Sequence, residues 1–218
     1  MLLKRVLRKG WQGFLYLKNL RSGQIQKHHE VGKWIEFISS LSGIDSIVEI
    51  GTWNGAGSSM AIVRGVNTRK KINRNTIRVV GYEINPVMAE KAQRRLNKFR
   101  FFEVVFGSLV SIHDLDRSNL SETEKVWLEQ DEKWILSAPS VFNSLPKYID
   151  LLILDGGEFS TYSEFHKLQS RVKNWIILDD VFTRKCRKIM TELLDDSNWI
   201  VVFQSHERNG TAVLKRVS

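Results

Sequence analysis

Hydrophobic runs of β-strand length recur along the chain and alternate with segments of helical periodicity. The strand-like runs occupy residues 46–50, 77–82, 101–106, 149–154, 175–178, 199–203 and 211–215. The apolar spacing typical of helices occupies residues 58–65, 86–99, 162–172 and 184–194. Because helices that alternate with strands cover both faces of a parallel sheet, the pattern predicts an α/β fold.

The last two strand-like runs depart from this alternation. Arg208-Asn209-Gly210 lies between them, without a helical segment. An Asn-Gly pair between β-rich runs is a strong hairpin signal. We therefore predict a mostly parallel sheet that ends in a C-terminal antiparallel hairpin.

Two helical patterns precede the first strand. Residues 1–20 carry apolar side chains among cationic ones, with a break near Gly10, and residues 31–41 form a second pattern before Gly43. We predict that residues 1–44 are N-terminal helices that cap the site or form its substrate side. Residues 45–218 are predicted to form the main domain within a single globular unit.

One connection is longer than its neighbours. Residues 109–146 separate two predicted strands, and residues 122–136 have helical potential with two tryptophans, Trp127 and Trp134. Long connections in compact domains often form lids or substrate loops. We expect this segment to cover the site, although ordinary packing explains the tryptophans equally well.

Composition narrows the function classes. The 218 residues include one cysteine, Cys186, which excludes an intrachain disulfide and a cysteine-based zinc site. No apolar run approaches the roughly 20 residues of a transmembrane helix, and the N-terminus lacks a secretory signal. These features predict a cytoplasmic protein, and they leave its oligomeric state open.

The charge is strongly basic. Lys and Arg number 33 against 24 Asp and Glu, a net charge of +9. Such a charge favours nucleic acids or anionic membrane surfaces as partners. Much of the excess falls on predicted exposed helix faces and a loop, so a solvated surface is the favoured interpretation and a nucleic-acid partner the less favoured one.

A glycine-rich loop follows the first strand. Glu49-x-Gly51-x-x-x-Gly55-x-Gly57 leads into the helix that starts near Ser58. Glycines let the backbone approach a ligand, and the helix N-terminus offers free amide donors. Three residues separate Gly51 from Gly55, unlike the GxGxxG spacing of dinucleotide sites. A glycine-rich turn without a ligand is the alternative.

Further polar residues follow the second and third strands. Glu83 ends the second strand, where a carboxylate can accept hydrogen bonds from a ribose diol. The alternative is that Glu83 caps the helix that begins near Pro86. Gly107 and Ser108 follow the third strand and are a weaker signal, because any strand exit favours such residues.

Three carboxylates end the fourth and fifth strands: Asp155, Asp179 and Asp180. Without cationic neighbours they would repel one another, so a bound cation or proton is expected. Their oxygen ligands suit Mg²⁺ or Mn²⁺. The alternative is that Asp179 and Asp180 cap the helix that starts near Thr183.

The loop resembles the (E/D)xGxxxG motif of class I S-adenosylmethionine-dependent methyltransferases. The resemblance implies a Rossmann-like seven-stranded sheet with helices on both faces. It also implies S-adenosylmethionine as cofactor. The residues that the resemblance assigns to cofactor binding are Glu49, Gly51, Thr52, Asn54, Gly55, Ser58, Glu83, Gly107, Ser108 and Asp155.

A narrower resemblance rests on Asp155-Gly156 and Leu178-Asp179-Asp180-Val181. They are similar to motifs of metal-dependent O-methyltransferases that act on sugars in macrolide and aminocoumarin biosynthesis, over residues 45–215. The resemblance implies that Asp155, Asp179 and Asp180 hold the metal and that Asp155 is the general base. It implies a sugar or glycan acceptor, for example a deoxysugar such as rhamnose. Glu158 stands where relatives have a histidine, so no histidine role transfers.

Other functions stay open at this stage. The chain lacks a (D/N)PP(Y/F) amine-methylating motif after the fourth strand. Methylation of an RNA ribose hydroxyl or of a phenolic small molecule is the alternative within the enzyme class. A non-catalytic binding module that kept the cofactor fold is the alternative from another class.

Overall fold

The computed structural model describes residues 24–69 and 76–217. Seven strands form one sheet in the order β3-β2-β1-β4-β5-β7-β6. The strands are β1 (Ser46–Ile50), β2 (Arg78–Glu83), β3 (Phe102–Phe106), β4 (Ile149–Leu154), β5 (Val172–Asp179), β6 (Trp199–Ser205) and β7 (Thr211–Arg216). Strands β1 to β5 run parallel, and β7 pairs antiparallel with both β5 and β6. The predicted sheet and its terminal hairpin are confirmed.

Helices cover both faces of the sheet. They are α1 (Glu30–Ser40), α2 (Ser58–Thr68), α3 (Pro86–Leu96), α4 (Glu122–Ser137), α5 (Thr161–Leu168) and α6 (Arg184–Asp195). Neighbouring strand residues point to opposite faces. Val48 and Leu152 pack in one apolar cluster with residues of α5 and α6, whereas Ile47 and Leu151 pack in another with residues of α1, α2 and α3. This two-sided burial explains why the central strands are continuously apolar.

Several predicted boundaries differ from the structure by up to four residues, and the largest difference lies where the predicted helix over residues 162–172 meets strand β5. Helix α5 ends at Leu168, and strand β5 begins at Val172 rather than at Trp175. Val172 pairs with Ile149 of β4 and is fully buried, so strand pairing extends β5 beyond its continuous apolar run. The hairpin loop covers residues 206–210, with positive φ at Arg208 (60°) and Gly210 (87°), and is longer than a two-residue turn.

Helix α4 lies in the long connection, as predicted. Its Ser121 N-cap and Glu124 form a capping box that stabilises the helix start. Leu128 and Ile135 pack with Phe159, which follows β4, and this contact brings α4 over the strand ends. The predicted helix over residues 1–20 lies outside the described residues.

Within the described part of the chain, no helix is both long enough and apolar enough to span a bilayer.

Candidate cofactor and acceptor site

A cavity of about 280 Å³ opens at the carboxyl ends of the parallel strands. This is the edge at which open α/β sheets bind ligands. Loops after β1 to β5 contribute to its lining, together with Asp131 and Trp134 of α4 and with Gln24 and Ile25 near the described N-terminus. The predicted site residues in the lining are Gly51, Thr52, Ser58, Glu83, Gly107, Asp155 and Asp180.

The loop after β1 is wedged between β2 and β4. The amides of Gly51 and Thr52 both donate to the carbonyl oxygen of Tyr82, at 3.0 and 3.2 Å. Gly51 has a φ of +86°, and a Cβ there would lie 2.0 Å from the carbonyl oxygen of Asp155. Only glycine therefore fits this position. Gly57 begins α2 and lines the cavity, so the amide end of this helix faces the site.

Glu49 lies beneath the loop rather than in the cavity lining. Its side chain is fully buried, and its Oε2 accepts a hydrogen bond from Ser59 Oγ at 2.7 Å. Burial raises the pKa of Glu49 to about 7. The carboxyl group thereby joins β1 to the first turn of α2 and supports the loop from below.

Three more of the predicted cofactor residues do not line the cavity. Asn54 Oδ1 accepts hydrogen bonds from the Ala56 amide and from Arg95 of α3. Gly55, with φ +73°, packs against Ala92 and Leu96 of α3. Ser108 Oγ bonds to the backbone of Val110. These residues stabilise the shape of the loops, and their contact with a cofactor stays a prediction.

Glu83 lines the cavity at the end of β2. Its Oε2 accepts from the Trp53 amide at 2.6 Å, and its Oε1 accepts from the Asn85 amide at 2.9 Å. Asn85, not Glu83, caps α3 by accepting from two amides of its first turn. The alternative in which Glu83 caps that helix is therefore wrong. Burial raises the pKa of Glu83 to about 7.

Asp155, Asp179 and Asp180 meet at the ends of β4 and β5; we call them the carboxylate cluster. One oxygen of each lies within 4.8 Å of the others. Thr183 caps α6 by accepting from the Lys185 amide at 3.2 Å, so the alternative in which Asp179 and Asp180 cap this helix is wrong. Asp180 has a φ of 62°, which is uncommon for a residue other than glycine.

The cluster has cationic neighbours, which the sequence analysis did not identify. Lys185 Nζ lies 2.7 Å from Asp155 Oδ1 and 2.7 Å from Asp180 Oδ2. Arg208 Nη2 lies 3.0 Å from Asp179 Oδ2. Burial opposes the charge of Lys185, but Asp155 and Asp180 outweigh it and raise its pKa well above the usual value.

The pKa values of the two neighbouring aspartates move in opposite directions. Burial, together with the charge of Asp155, raises the pKa of Asp179 to about 7. Burial also acts on Asp180, but Lys185 and the Asn209 side chain overcome it and lower the pKa of Asp180. The cluster therefore holds at least one firmly ionised carboxylate beside a buried ammonium.

Carboxylate oxygens are suitable ligands for a hard divalent ion. The arrangement of the side chains in this structure, however, leaves no room for such an ion between Asp155 and Asp180. The ammonium of Lys185 occupies the space between Asp155 and Asp180. Asp180 Oδ1 accepts from Asn209, and Asp179 Oδ1 accepts from Thr211. A metal at coordination distance of about 2.1 Å from both Asp155 and Asp180 would have to displace the Lys185 side chain.

A second group of carboxyl side chains, here called the acidic wall, also lines the cavity, which was not predicted. It consists of Asp131 of α4, Glu158 after β4 and Glu164 of α5. Burial and the charge of Glu158 raise the pKa of Asp131 to about 6, and burial raises that of Glu164 to about 8. Glu164 sits on the buried face of a short amphipathic helix, an unusual place for a carboxyl group and a usable sequence signal.

No protein-family model and no curated protein matches the sequence. Solved structures do match the fold. A methyltransferase from Geobacter sulfurreducens is 16% identical with a TM-score of 0.59, over 89% of this chain and 82% of that one. An O-methyltransferase from Bacillus cereus in complex with SAH is 15% identical with a TM-score of 0.59, over 92% and 88%.

A third structure is similar: the O-methyltransferase TomG from Streptomyces achromogenes in complex with SAM. It is 15% identical with a TM-score of 0.58, over 86% of this chain and 79% of that one. Identities this low establish architecture only. From its strand order, its C-terminal hairpin and these matches, the chain has the class I methyltransferase fold.

Proposed function

We propose that the chain is an S-adenosylmethionine-dependent O-methyltransferase. The observation that carries this proposal is one cavity that joins the Gly51 loop and Glu83 to Asp155. The glycine loop and the α2 N-terminus would hold the methionyl part. Glu83 uses two of its roughly four acceptor positions within the chain, which leaves others for a ribose diol. Gly107, which lines the cavity after β3, would contact the adenine.

When bound, S-adenosylmethionine supplies a methyl group on a positively charged sulfur. Asp155 is the group that would accept the proton of the acceptor hydroxyl, because it lines the cavity at the end of β4. Its hydrogen bond with Lys185 restricts the orientation of the carboxylate. Because Lys185 donates to Asp155 Oδ1, Asp155 Oδ2 is the oxygen that would accept the proton of the acceptor hydroxyl.

For the acceptor we propose a hydroxyl of a sugar or glycan, including a deoxysugar such as rhamnose. The acidic wall supports this choice, because carboxylates accept hydrogen bonds from several hydroxyls at once. The same wall disfavours RNA, whose phosphates it would repel despite the net charge of +9. A phenolic acceptor is the second candidate, supported by Ile84, Leu109 and Trp134 in the lining.

The role of residues 1–44 as substrate side stays a prediction. It is supported by Gln24 and Ile25, which line the cavity. The resemblance also implies a requirement for Mg²⁺ or Mn²⁺, which is untested and which the two contacts of Lys185 with the cluster disfavour; activity in excess chelator tests it.

The decisive experiment follows a labelled methyl group from S-adenosylmethionine into a panel of sugars, glycans, phenols and RNA. We expect the label in a hydroxyl-bearing sugar or glycan. Calorimetry with S-adenosylmethionine separates two failures: binding without transfer to any acceptor would favour the non-catalytic module, and absence of binding would contradict the proposed function altogether.

A further inference from the structure

We propose that Lys185 is the resident cation of the carboxylate cluster and replaces the divalent metal that the resemblance implies. This inference rests on the proposed function for its role in methyl transfer. Its ammonium makes two 2.7 Å contacts, with Asp155 and with Asp180, and the residue is only 5% exposed. It therefore bridges the ends of β4 and β5, where the metal was expected.

Each carboxylate of the cluster contacts a cationic side chain without a metal. A buried ammonium is stable only when it is paired, and Lys185 is paired twice. The third carboxylate, Asp179, has its own cation in Arg208 at 3.0 Å. Lys185 and Arg208 together therefore contact all three carboxylates directly.

The position of Lys185 in its helix also indicates that the fold holds its side chain at the cluster. It lies in the first turn of α6, where the helix dipole disfavours a positive charge. Thr183 caps the helix through the Lys185 amide, and the neighbouring Cys186 is fully buried. The backbone of Lys185 is therefore anchored, and its side chain is directed at the cluster rather than at solvent.

Lys185 acts on the reaction as a positioning residue. An ammonium has three donors, and the two carboxylates engage two of them. Through these two contacts Lys185 holds the carboxylates of Asp155 and Asp180 in fixed orientations. It also lines the cavity, so its positive charge lies close to the oxygen from which Asp155 would take a proton. A divalent metal would also place positive charge here, but two units of charge instead of one.

The first test is the electron paramagnetic resonance signal of Mn²⁺ added in equimolar amount to the full chain. We expect the wild-type protein to leave the signal of free Mn²⁺ unchanged and to keep its methyl transfer in excess chelator. Stoichiometric Mn²⁺ binding by the wild type, or loss of transfer in chelator, would overturn the proposal. The measurement of the Mn²⁺ signal needs neither a variant nor a bound cofactor.

The second test compares Lys185→Met, Lys185→Arg and the matched control Lys188→Met, an exposed position on the same helix. Lys185→Met should lower kcat about 100-fold while the cofactor Kd stays within about 3-fold. Lys185→Arg should recover part of the loss, and the control should behave as wild type. Unchanged kcat in Lys185→Met would overturn the proposal. Failure of the wild type to bind S-adenosylmethionine would contradict the proposed function instead, without affecting the Mn²⁺ result.

Discussion

The two halves of the cavity are built in different ways. At the ends of β1 and β2, backbone groups shape the site: Gly51 has no room for a side chain, and Glu83 is held by two amides within 30 residues. At the ends of β4 and β5, charged side chains from separate elements shape it, and Arg208 comes from the hairpin. The first half depends on local geometry, whereas the second depends on a charge balance across the fold.

The largest expected effect is on methyl transfer and lies at the ends of β4 and β5, where charged side chains shape the cavity. Asp155→Asn should reduce methyl transfer about 1000-fold, because an amide does not accept the hydroxyl proton. Cofactor affinity, measured by calorimetry, should change far less. Asp195→Asn is the matched control, since Asp195 is exposed at the end of α6. Equal transfer by both variants would show that Asp155 is not the base.

At the ends of β1 and β2, where backbone groups shape the cavity, Gly51→Ala should have the largest effect on stability. The new Cβ would clash with the Asp155 carbonyl at 2.0 Å in addition to the strain of a φ of +86°. We expect the free energy of unfolding to fall by about 3 kcal/mol or more.

Gly43→Ala isolates the strain from the clash. Gly43 has a similar φ of +84°, but nothing lies within 4 Å of its missing Cβ. Its cost should be about 1 kcal/mol. Urea denaturation measures both variants, and equal costs would mean that the loop moves away from β4 freely.

A smaller effect is expected for Glu83→Gln, which keeps the shape of the side chain but removes its charge. Hydrogen bonds to a charged group are worth about 1.5–3 kcal/mol, so cofactor affinity should fall about 10-fold to 100-fold. The control is Glu90→Gln, on the exposed face of α3. Unchanged calorimetric affinity would remove Glu83 from the cofactor site.

The last effect concerns the pH dependence of stability at Glu164 and does not involve the cofactor. Its pKa is raised to about 8 in the folded protein against an ordinary value of 4.5. Between these values the folded state binds more protons than the unfolded state, so this group lowers stability as pH rises towards 8. Glu164→Gln should remove this loss, and its gain over wild type should grow from pH 5 to pH 9, by on the order of 4 kcal/mol.

Thermal unfolding of the cofactor-free protein at several pH values measures that gain. Glu90→Gln serves again as the control, and its difference from wild type should stay flat across the same range. A flat difference for Glu164→Gln as well would show that this carboxyl group is ionised without cost, through contact with water.

Much of the fold was predictable because strand-like runs and helical periodicity depend on burial, and burial follows from side-chain chemistry along the chain. The start of β5 at Val172 was missed, since the preceding residues have helical spacing and only the partner Ile149 reveals the strand. The ion pairs of Lys185 and Arg208 were missed for a related reason. Neither residue belongs to the sequence motifs that contain Asp155, Asp179 and Asp180, and only the tertiary structure brings them into contact with these aspartates.

The sequence by itself determined the mostly parallel sheet, its terminal hairpin and the strand ends at which Glu83, Asp155, Asp179 and Asp180 stand, because these follow from local hydrophobic patterns. Only the tertiary structure decided what surrounds those carboxylates. It set Glu49 beneath the loop and the ammonium of Lys185 between two aspartates. Charge balance depends on distances of a few ångströms between segments far apart in the chain, and no spacing along the sequence encodes those distances.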